Sequence, residues 1–508
     1  MSTTESRPPA ATAALNGSGP RHVEVAVVGA GICGIGAAIE LRRAGITDVV
    51  LLERSAELGG TWRDNTYPGC ACDIPSVLYS YWFAPNPDWT RVFAGQAEIQ
   101  EYVLRIAREH AVDDQVELNT EVLDAAWDDV AQRWTVETSR GRIVSRALVL
   151  AAGPLHEPVM PDVAGLGTFA GTAFHSSRWR HDHDLKGERV AVIGTGASAV
   201  QFVPRIQPDV AHMTVFQRTP GWVMPKADWK LGPLQRAINR RVPLVQRLVR
   251  QLVWSGLDLM ILVTNHARLA RMFDGLARWN IHKAIKDPEL RRTLTPDYAL
   301  GCKRVMISNH FYPALAKPNV QVVPHAVREI RPHSVIDAAG VEHQIDTIIF
   351  GTGFHVHDLP ISDRVRGADG RTMAEVWDGS PRAYKGTSVS GFPNEFTLFG
   401  PNIGSASAFV MLEAQLKLVV STLTTMRDRG WGAVDVRPDV QAAYKADVDH
   451  RLRHSAWNAG GCKSYYLDAK GHNASVYPGT MRRMQRELAR FDPAAYDTAV
   501  SVAQPPRT

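Results

Sequence analysis

The sequence predicts an α/β fold with two Rossmann-like units and a helical insertion, on three observations. Val25-Ala26-Val27-Val28 runs into Gly29-Ala30-Gly31-Ile32-Cys33-Gly34. Arg189-Val190-Ala191-Val192-Ile193 runs into Gly194-Thr195-Gly196-Ala197-Ser198-Ala199. From about Trp229 to Leu300 the chain has helical periodicity and no strand signal. A short apolar run ending in spaced glycines and continuing as a helix marks the first turn of a dinucleotide-binding βαβ unit.

In the first unit Gly29 allows the tight turn, Gly31 lets the backbone approach a pyrophosphate, and Gly34 lets the helix pack closely on the strand. The helix is expected over Ile35 to Arg43, ended by Ala44-Gly45. Its N-terminus offers free N–H groups to phosphate. Val49-Val50-Leu51-Leu52 is the next strand. Glu53 follows, where an acid that holds the ribose belongs. Val116 to Val149 reads as a meander, with Trp134 to Thr138 alternating as a strand.

The second unit repeats the design, with Gly194, Gly196 and Ala199 at the small positions. Its next strand, Met213 to Gln217, ends in Arg218-Thr219 rather than an acid. An acid would repel a 2′-phosphate, and an arginine accommodates one, so the reading is NADP(H) over NAD(H). The alternative is a surface arginine at a strand end. Strands return at Val320-Gln321-Val322-Val323 and Thr347-Ile348-Ile349-Phe350. The latter runs into Gly351-Thr352-Gly353-Phe354, a crossover near the first nucleotide.

The expected organisation is a disordered tail over 1–20 and a first nucleotide domain over 21–155. The second nucleotide domain begins over 156–228, with a linker at 169–179. The helical insertion spans 229–300. The second nucleotide domain resumes over 301–355, and the first over 356–508. At 508 residues two or three domains are expected.

Composition excludes several classes. A net charge of +5 without a dense basic block gives no case for nucleic acid. Five cysteines in so long a chain do not make a disulfide framework, and Cys70-x-Cys72 reads as a pair of small packing residues. No His or Cys cluster has metal-ligand spacing. The polar N-terminus lacks the features of a signal peptide, so a cytoplasmic location is expected. Pro243 to Thr264 is the most lipophilic stretch, but Arg247, Arg250 and Asp258 rule out a spanning segment. Leu244, Val245, Leu248, Leu252 and Val253 recur at helical spacing. A core helix is expected there, with attachment to a membrane surface as the alternative.

Three patterns carry a family resemblance. Between the glycine loops stands Phe169-x-Gly171-x-x-x-His175-x-x-x-Trp179. Gly60-Thr61-Trp62 is followed by Tyr67-Pro68-Gly69 and Asp73. Lys303-Arg304 completes the set. From about Val23 to Pro478 the chain resembles the flavin-dependent Baeyer–Villiger monooxygenases (class B flavoprotein monooxygenases). One departure is Arg180, where Pro or Asp usually follows the tryptophan. The tryptophan is the mark that separates this family from N- and S-oxygenating relatives.

The resemblance implies FAD on the first loop and NADPH on the second. It implies Glu53 at the adenosine ribose and Thr61, Trp62, Asp73, Tyr79 and Val122 along the flavin. It implies Thr195, Gly196, Ser198, Gln201, Arg218 and Thr219 at NADP, with Lys303 as a second cation at the 2′-phosphate. The marker carrying His175 and Trp179 would couple domain movement to NADP binding, and a structural role for His175 is the better reading. Arg304 would stabilise an anionic C4a-peroxyflavin, held in place by Asp73. A ketone and O2 would be converted to an ester or lactone. Gly391-Phe392-Pro393-Asn394, Gly400-Pro401-Asn402 and the Trp457 to Asn473 stretch also resemble family segments, although the aromatics of the last could simply pack the core. An N- or S-oxygenating flavin monooxygenase is the alternative. A disulfide reductase lacks its spaced cysteine pair, and a non-catalytic flavin sensor would not need Asp73, Lys303 and Arg304. Oligomeric state is not legible.

Overall fold

The computed structural model describes residues 19–501. The tail expected over 1–20 lies, up to residue 18, outside the described residues. The strand Arg21–Val28 is buried without alternation over its second half, as a parallel strand covered on both faces must be. It pairs in parallel with Val49–Leu52 on one side and with Gly141–Leu150 on the other. The meander then adds Val122–Asp128 and Arg133–Thr138, antiparallel. In Arg133–Thr138 the side chains of Trp134, Val136 and Thr138 go inward and alternate with half-buried neighbours. With Val116–Glu117, Val365–Arg366 and Glu395–Thr397 this makes an eight-stranded sheet. Two of its strands come from the far end of the sequence, so the chain leaves this unit and returns to it.

The second sheet has five parallel strands in the order Val320–Val323, His212–Phe216, Arg189–Ile193, Thr347–Phe350 and Thr172–His175. The strand beside Arg189–Ile193 comes from beyond the insertion. It is edged by the segment that carries His175.

Both glycine turns are built alike. Gly29 has φ +103° and Gly194 has φ +100°. A Cβ on Gly29 would lie 2.8 Å from the carbonyl of Ala151, just past a neighbouring strand, and one on Gly194 would lie 2.5 Å from that of Gly351. Left-handed backbone and close approach both require glycine here. The first helix is Ile32–Arg43 and starts three residues before the expected Ile35, because Gly31 itself is its N-cap.

The two crossings between the units touch. Val159 N–H donates to the Gly353 carbonyl (2.9 Å), and His355 N–H donates to that of Glu157 (2.9 Å). The helix Ala408–Arg429 packs on Ile32–Arg43. There Gly36 leaves room for Tyr81, Leu412 and Leu416 within 3.0–3.4 Å of where a Cβ would stand. Among the described residues this is the one helix long and apolar enough to cross a membrane. Two thirds of its most apolar window is buried, so it is a core helix here.

Residues 229–300 fold as helices, among them Pro233–Arg241, Pro243–Thr264 and Asp274–Ala284. The expectation that Pro243–Thr264 is a core helix holds for one face only: Val253, Trp254 and Ile261 pack on the core, but Leu244, Val245, Leu248 and Leu252 are exposed. Periodicity shows that a helix has one apolar face, but not what that face meets. The cysteine expectation also needs correcting. Cys302 and Cys462 form a disulfide across a separation of 160 residues, which no spacing rule detects. Cys33, Cys70 and Cys72 are free.

Candidate active site

One cavity of about 1040 Å³ runs between the two nucleotide units. Every residue expected to contact FAD or NADP lines it except Gly34. That exception follows from packing. A Cβ on Gly34 would lie 1.9 Å from the Gly29 carbonyl oxygen, so this glycine lets the helix reach the strand. Gly34→Ala is therefore expected to push the helix off the turn. Overpacking of this kind destabilises by about 1–3 kcal/mol and should lower the flavin retained per chain. Denaturant unfolding and flavin content measure both, and an unchanged midpoint with full flavin would refute the assignment.

Both loops fit a pyrophosphate. The helices beginning at Ile32 and Ala197 are capped by Gly31 and Gly196, with no side-chain cap and no acid in the first turn. Their first N–H groups have no side chain competing for them at the cavity wall. Glu53 is buried. Its carboxylate accepts from Ala30 N–H (2.9 Å) and Ser55 N–H (3.0 Å) and is paired with Arg63 at 3.3 Å. These contacts fix its orientation, and a carboxylate has lone pairs left for a ribose hydroxyl.

Trp62 donates its indole N–H to the hydroxyl of Tyr79 (3.0 Å), and the two rings meet edge to face. Thr61 Oγ1 donates to the Leu155 carbonyl. Val122 is at the start of a meander strand.

On the NADP side, Arg218 makes no ion pair among the described residues. Lys303 has none either and lies over the ring of Tyr298. Burial, and then the charge of Arg218, hold the Lys303 ammonium below its ordinary range. Two unneutralised cations on one wall suit a phosphate dianion. Thr195, Ser198 and Thr219 line the same wall. Gln201 lines the cavity as well. Its amide accepts from the Tyr67 hydroxyl (2.9 Å) and donates to the Ala71 carbonyl (2.8 Å). It clamps the Tyr67 to Ala71 segment to the second unit. Gly69 permits this approach, since a Cβ there would lie 3.0 Å from the Gln201 carbonyl oxygen.

Between the two loops lies Arg304. Its Nε donates to Asp73 Oδ2 at 2.9 Å, and its Nη2 donates to Oδ1 at 2.7 Å and to Oδ2 at 2.6 Å. This bidentate pair fixes the plane of the guanidinium. Nη1 has no hydrogen-bond partner among the described residues. The side chain is 41% exposed, and Arg304 is part of the cavity lining. The Asp73 carboxylate raises the Arg304 pKa further, so the charge is permanent.

His175 is buried and outside the cavity lining. Its Nδ1 accepts from the Ser177 N–H (3.1 Å), and its Nε2 has no partner. Burial and the Arg178 charge push it down to about 4, so the ring is neutral at pH 7. Trp179 packs between Phe174 and Phe202. Both residues hold the linker against the second unit. Arg180 is at the surface, paired with Asp182 at 2.8 Å.

Sequence reasoning missed several wall residues. Arg63 holds Glu53 and Asp64 together, and Asp64 in turn meets His156 of the first crossing. Phe354 and Tyr465 also line the cavity. Arg63 directly follows Trp62 inside the stretch from Gly60 to Asp73, which was the available signal. The disulfide ties the Lys303-Arg304 segment to the one bearing Tyr465. Neither Cys302 nor Cys462 lines the cavity; Cys33, Cys70 and Cys72 do, and burial pushes all three thiols up, that of Cys70 to about 12. No reactive thiol therefore stands at the site.

Comparison with known proteins decides the family. Residues 26–247 match the family described as "Pyridine nucleotide-disulphide oxidoreductase". The chain is 48% identical over 479 residues to a Baeyer–Villiger monooxygenase of Streptomyces coelicolor, covering 94% of this chain and 92% of that protein. The chain belongs to the Baeyer–Villiger monooxygenase family. A Baeyer–Villiger monooxygenase of Pseudomonas aeruginosa is 44% identical over 481 residues, covering 94% of this chain and 91% of that one. The solved structure of OTEMO in complex with FAD and NADP superposes with a TM-score of 0.84 at 26% identity, over 94% of this chain and 99% of that chain. By its family the protein is an NADPH-dependent flavin monooxygenase with the two-unit fold that the glycine loops predict.

Proposed function

We propose that this Baeyer–Villiger monooxygenase takes a ketone and O2 and places one oxygen atom beside the carbonyl, giving an ester or lactone. The second oxygen atom leaves as water, with NADPH supplying two electrons. The observation that carries the reading is the Asp73-locked guanidinium of Arg304 on the cavity wall between the two nucleotide loops.

Gly29, Gly31, Glu53, Thr61, Trp62, Tyr79 and Val122 would hold FAD. Gly194, Thr195, Gly196, Ser198, Arg218, Thr219 and Lys303 would hold NADP(H). Bound flavin, reduced by NADPH, would supply the activation of O2. The chain's part is electrostatic and steric. Arg304 presents a fixed positive charge where negative charge gathers as oxygen is delivered to the carbonyl. Asp73 orients it. The crossings at Pro154 to Glu157 and Gly353 to Val356, with the NADP held on the same wall, shield the site from water.

Incubation with NADPH, O2 and a panel of linear, cyclic and aryl ketones tests this, with product analysis. An ester or lactone from at least one ketone, matched to NADPH consumed, is expected. An N- or S-oxygenating enzyme works with a neutral, electrophilic oxygen donor, which a permanent cation disfavours. Products confined to sulfoxides or hydroxylamines, with no ester from any ketone, would overturn the proposal.

A further inference from the structure

The helix Pro243–Thr264 carries apolar residues on both its inward and its outward face. Its inward face buries Trp254 and Ile261 against the core together with two hydrogen-bonded polar groups. Gln246 donates to the Asn86 carbonyl (2.6 Å), and Asp258 accepts from the Met481 N–H (2.7 Å) and pairs with Arg482. Its outward face carries leucines at helical spacing: Leu248 is 57% exposed, Leu252 73% and Leu259 63%. Leu244, Met260 and Leu262 are exposed on the same helix. The helical segments after it expose Met272, Phe273 and Trp279. A contiguous apolar face of this length on a globular surface marks a binding surface.

Charge says what covers it. Residues 229–300 hold 13 Lys and Arg against 5 Asp and Glu, a net +8, in a chain whose total is +5. Arg241 and Arg247 flank the apolar face at one end, Arg268 and Arg271 at the other. All four are exposed and make no ion pair among the described residues. Leucines facing outward between unpaired arginines are the pattern of a helix lying in the headgroup layer of an anionic membrane. Two copies of this chain joined through the same face would instead bring two insertions of +8 together. Residues 1–18 hold a single leucine among small and polar residues, a poor match for an apolar face.

We propose that the insertion docks this enzyme on an anionic lipid surface, with the outward leucines of Pro243–Thr264 entering the headgroup layer and the flanking arginines pairing with lipid phosphates. The test is flotation of the flavin-loaded enzyme with vesicles. One set is equal parts phosphatidylglycerol and phosphatidylcholine, and the other is phosphatidylcholine alone. The enzyme should float with the anionic vesicles, weakly or not at all with the neutral ones, and less as salt rises. The double variant Leu252→Asp/Leu259→Asp should bind at least about tenfold more weakly, since it removes two leucines from the buried face, while keeping NADPH oxidation. Arg241→Glu/Arg247→Glu should also release the enzyme, and it decides the matter if the first variant does not fold. Wild-type enzyme that stays unbound with anionic vesicles would overturn the proposal. So would binding that neither variant weakens, or light scattering that shows a dimer split by Leu252→Asp/Leu259→Asp.

Discussion

Arg304→Ala is expected to uncouple the enzyme: NADPH is consumed, hydrogen peroxide is released and no ester is detected. On the proposed reading, reduction of the flavin rests on stacking nicotinamide against it, which the loops around Gly31 and Gly196 would arrange without Arg304. Oxygen insertion needs a positive charge where the anion develops. Arg304 lines the cavity, and Asp73 holds its Nε and Nη2 so that one edge of the guanidinium is left without a protein partner. Removing one such donor costs roughly 3–4 kcal/mol, or 100- to 1000-fold in rate. Lys303 is adjacent in sequence but faces the ring of Tyr298 and the charge of Arg218, so it is not expected to compensate. Asp73→Ala should give a milder form of the same defect, because it frees the arginine to reorient without removing the charge. NADPH loss, peroxide and ester are measured together. If Arg304→Ala makes ester at near wild-type coupling, the role given to this residue is wrong.

Arg218→Ala should weaken NADPH binding by roughly 10- to 150-fold, the loss of a charged hydrogen bond of about 1.5–3 kcal/mol, and leave NADH almost unchanged. Arg218 stands at the end of the strand His212–Phe216, where a carboxylate would select NADH. It has no ion pair among the described residues, and its charge and that of Lys303 oppose each other. A 2′-phosphate would relieve that repulsion, and NADH has nothing to relieve it with. Lys303→Ala should act in the same direction. Titration of the oxidised enzyme with NADP and NAD reads binding separately from turnover. Equal losses for both nucleotides would move the 2′-phosphate site elsewhere.

Much of this molecule is written locally. A glycine loop encodes a backbone path, and Gly29, Gly34 and Gly194 meet close contacts that only glycine accepts. Such positions can be read one residue at a time, so both nucleotide units were legible, as was the alternation of Arg133–Thr138. The marker from Phe169 to Trp179 and the pair Lys303-Arg304 pointed to the family for the same reason: short spacings on a common backbone.

Tertiary structure alone decided which distant residues meet. Asp73 and Arg304 are 231 residues apart, and their bidentate geometry exists only because the fold lays the segment that follows the insertion against the first unit. Gln201, expected from its position after the second loop to meet the nucleotide, also joins Tyr67 and Ala71 across the domain boundary, a contact the sequence does not reveal. Cys302 and Cys462 pair because their Cα atoms come within 6.1 Å, a proximity no count of cysteines reveals. The helix Pro243–Thr264 makes the point most plainly. Its spacing determined that one face is apolar. Only the packing of Trp254 and Ile261 into the core, with Asp258 and Gln246 finding hydrogen-bond partners beside them, decided that the leucine face looks outward.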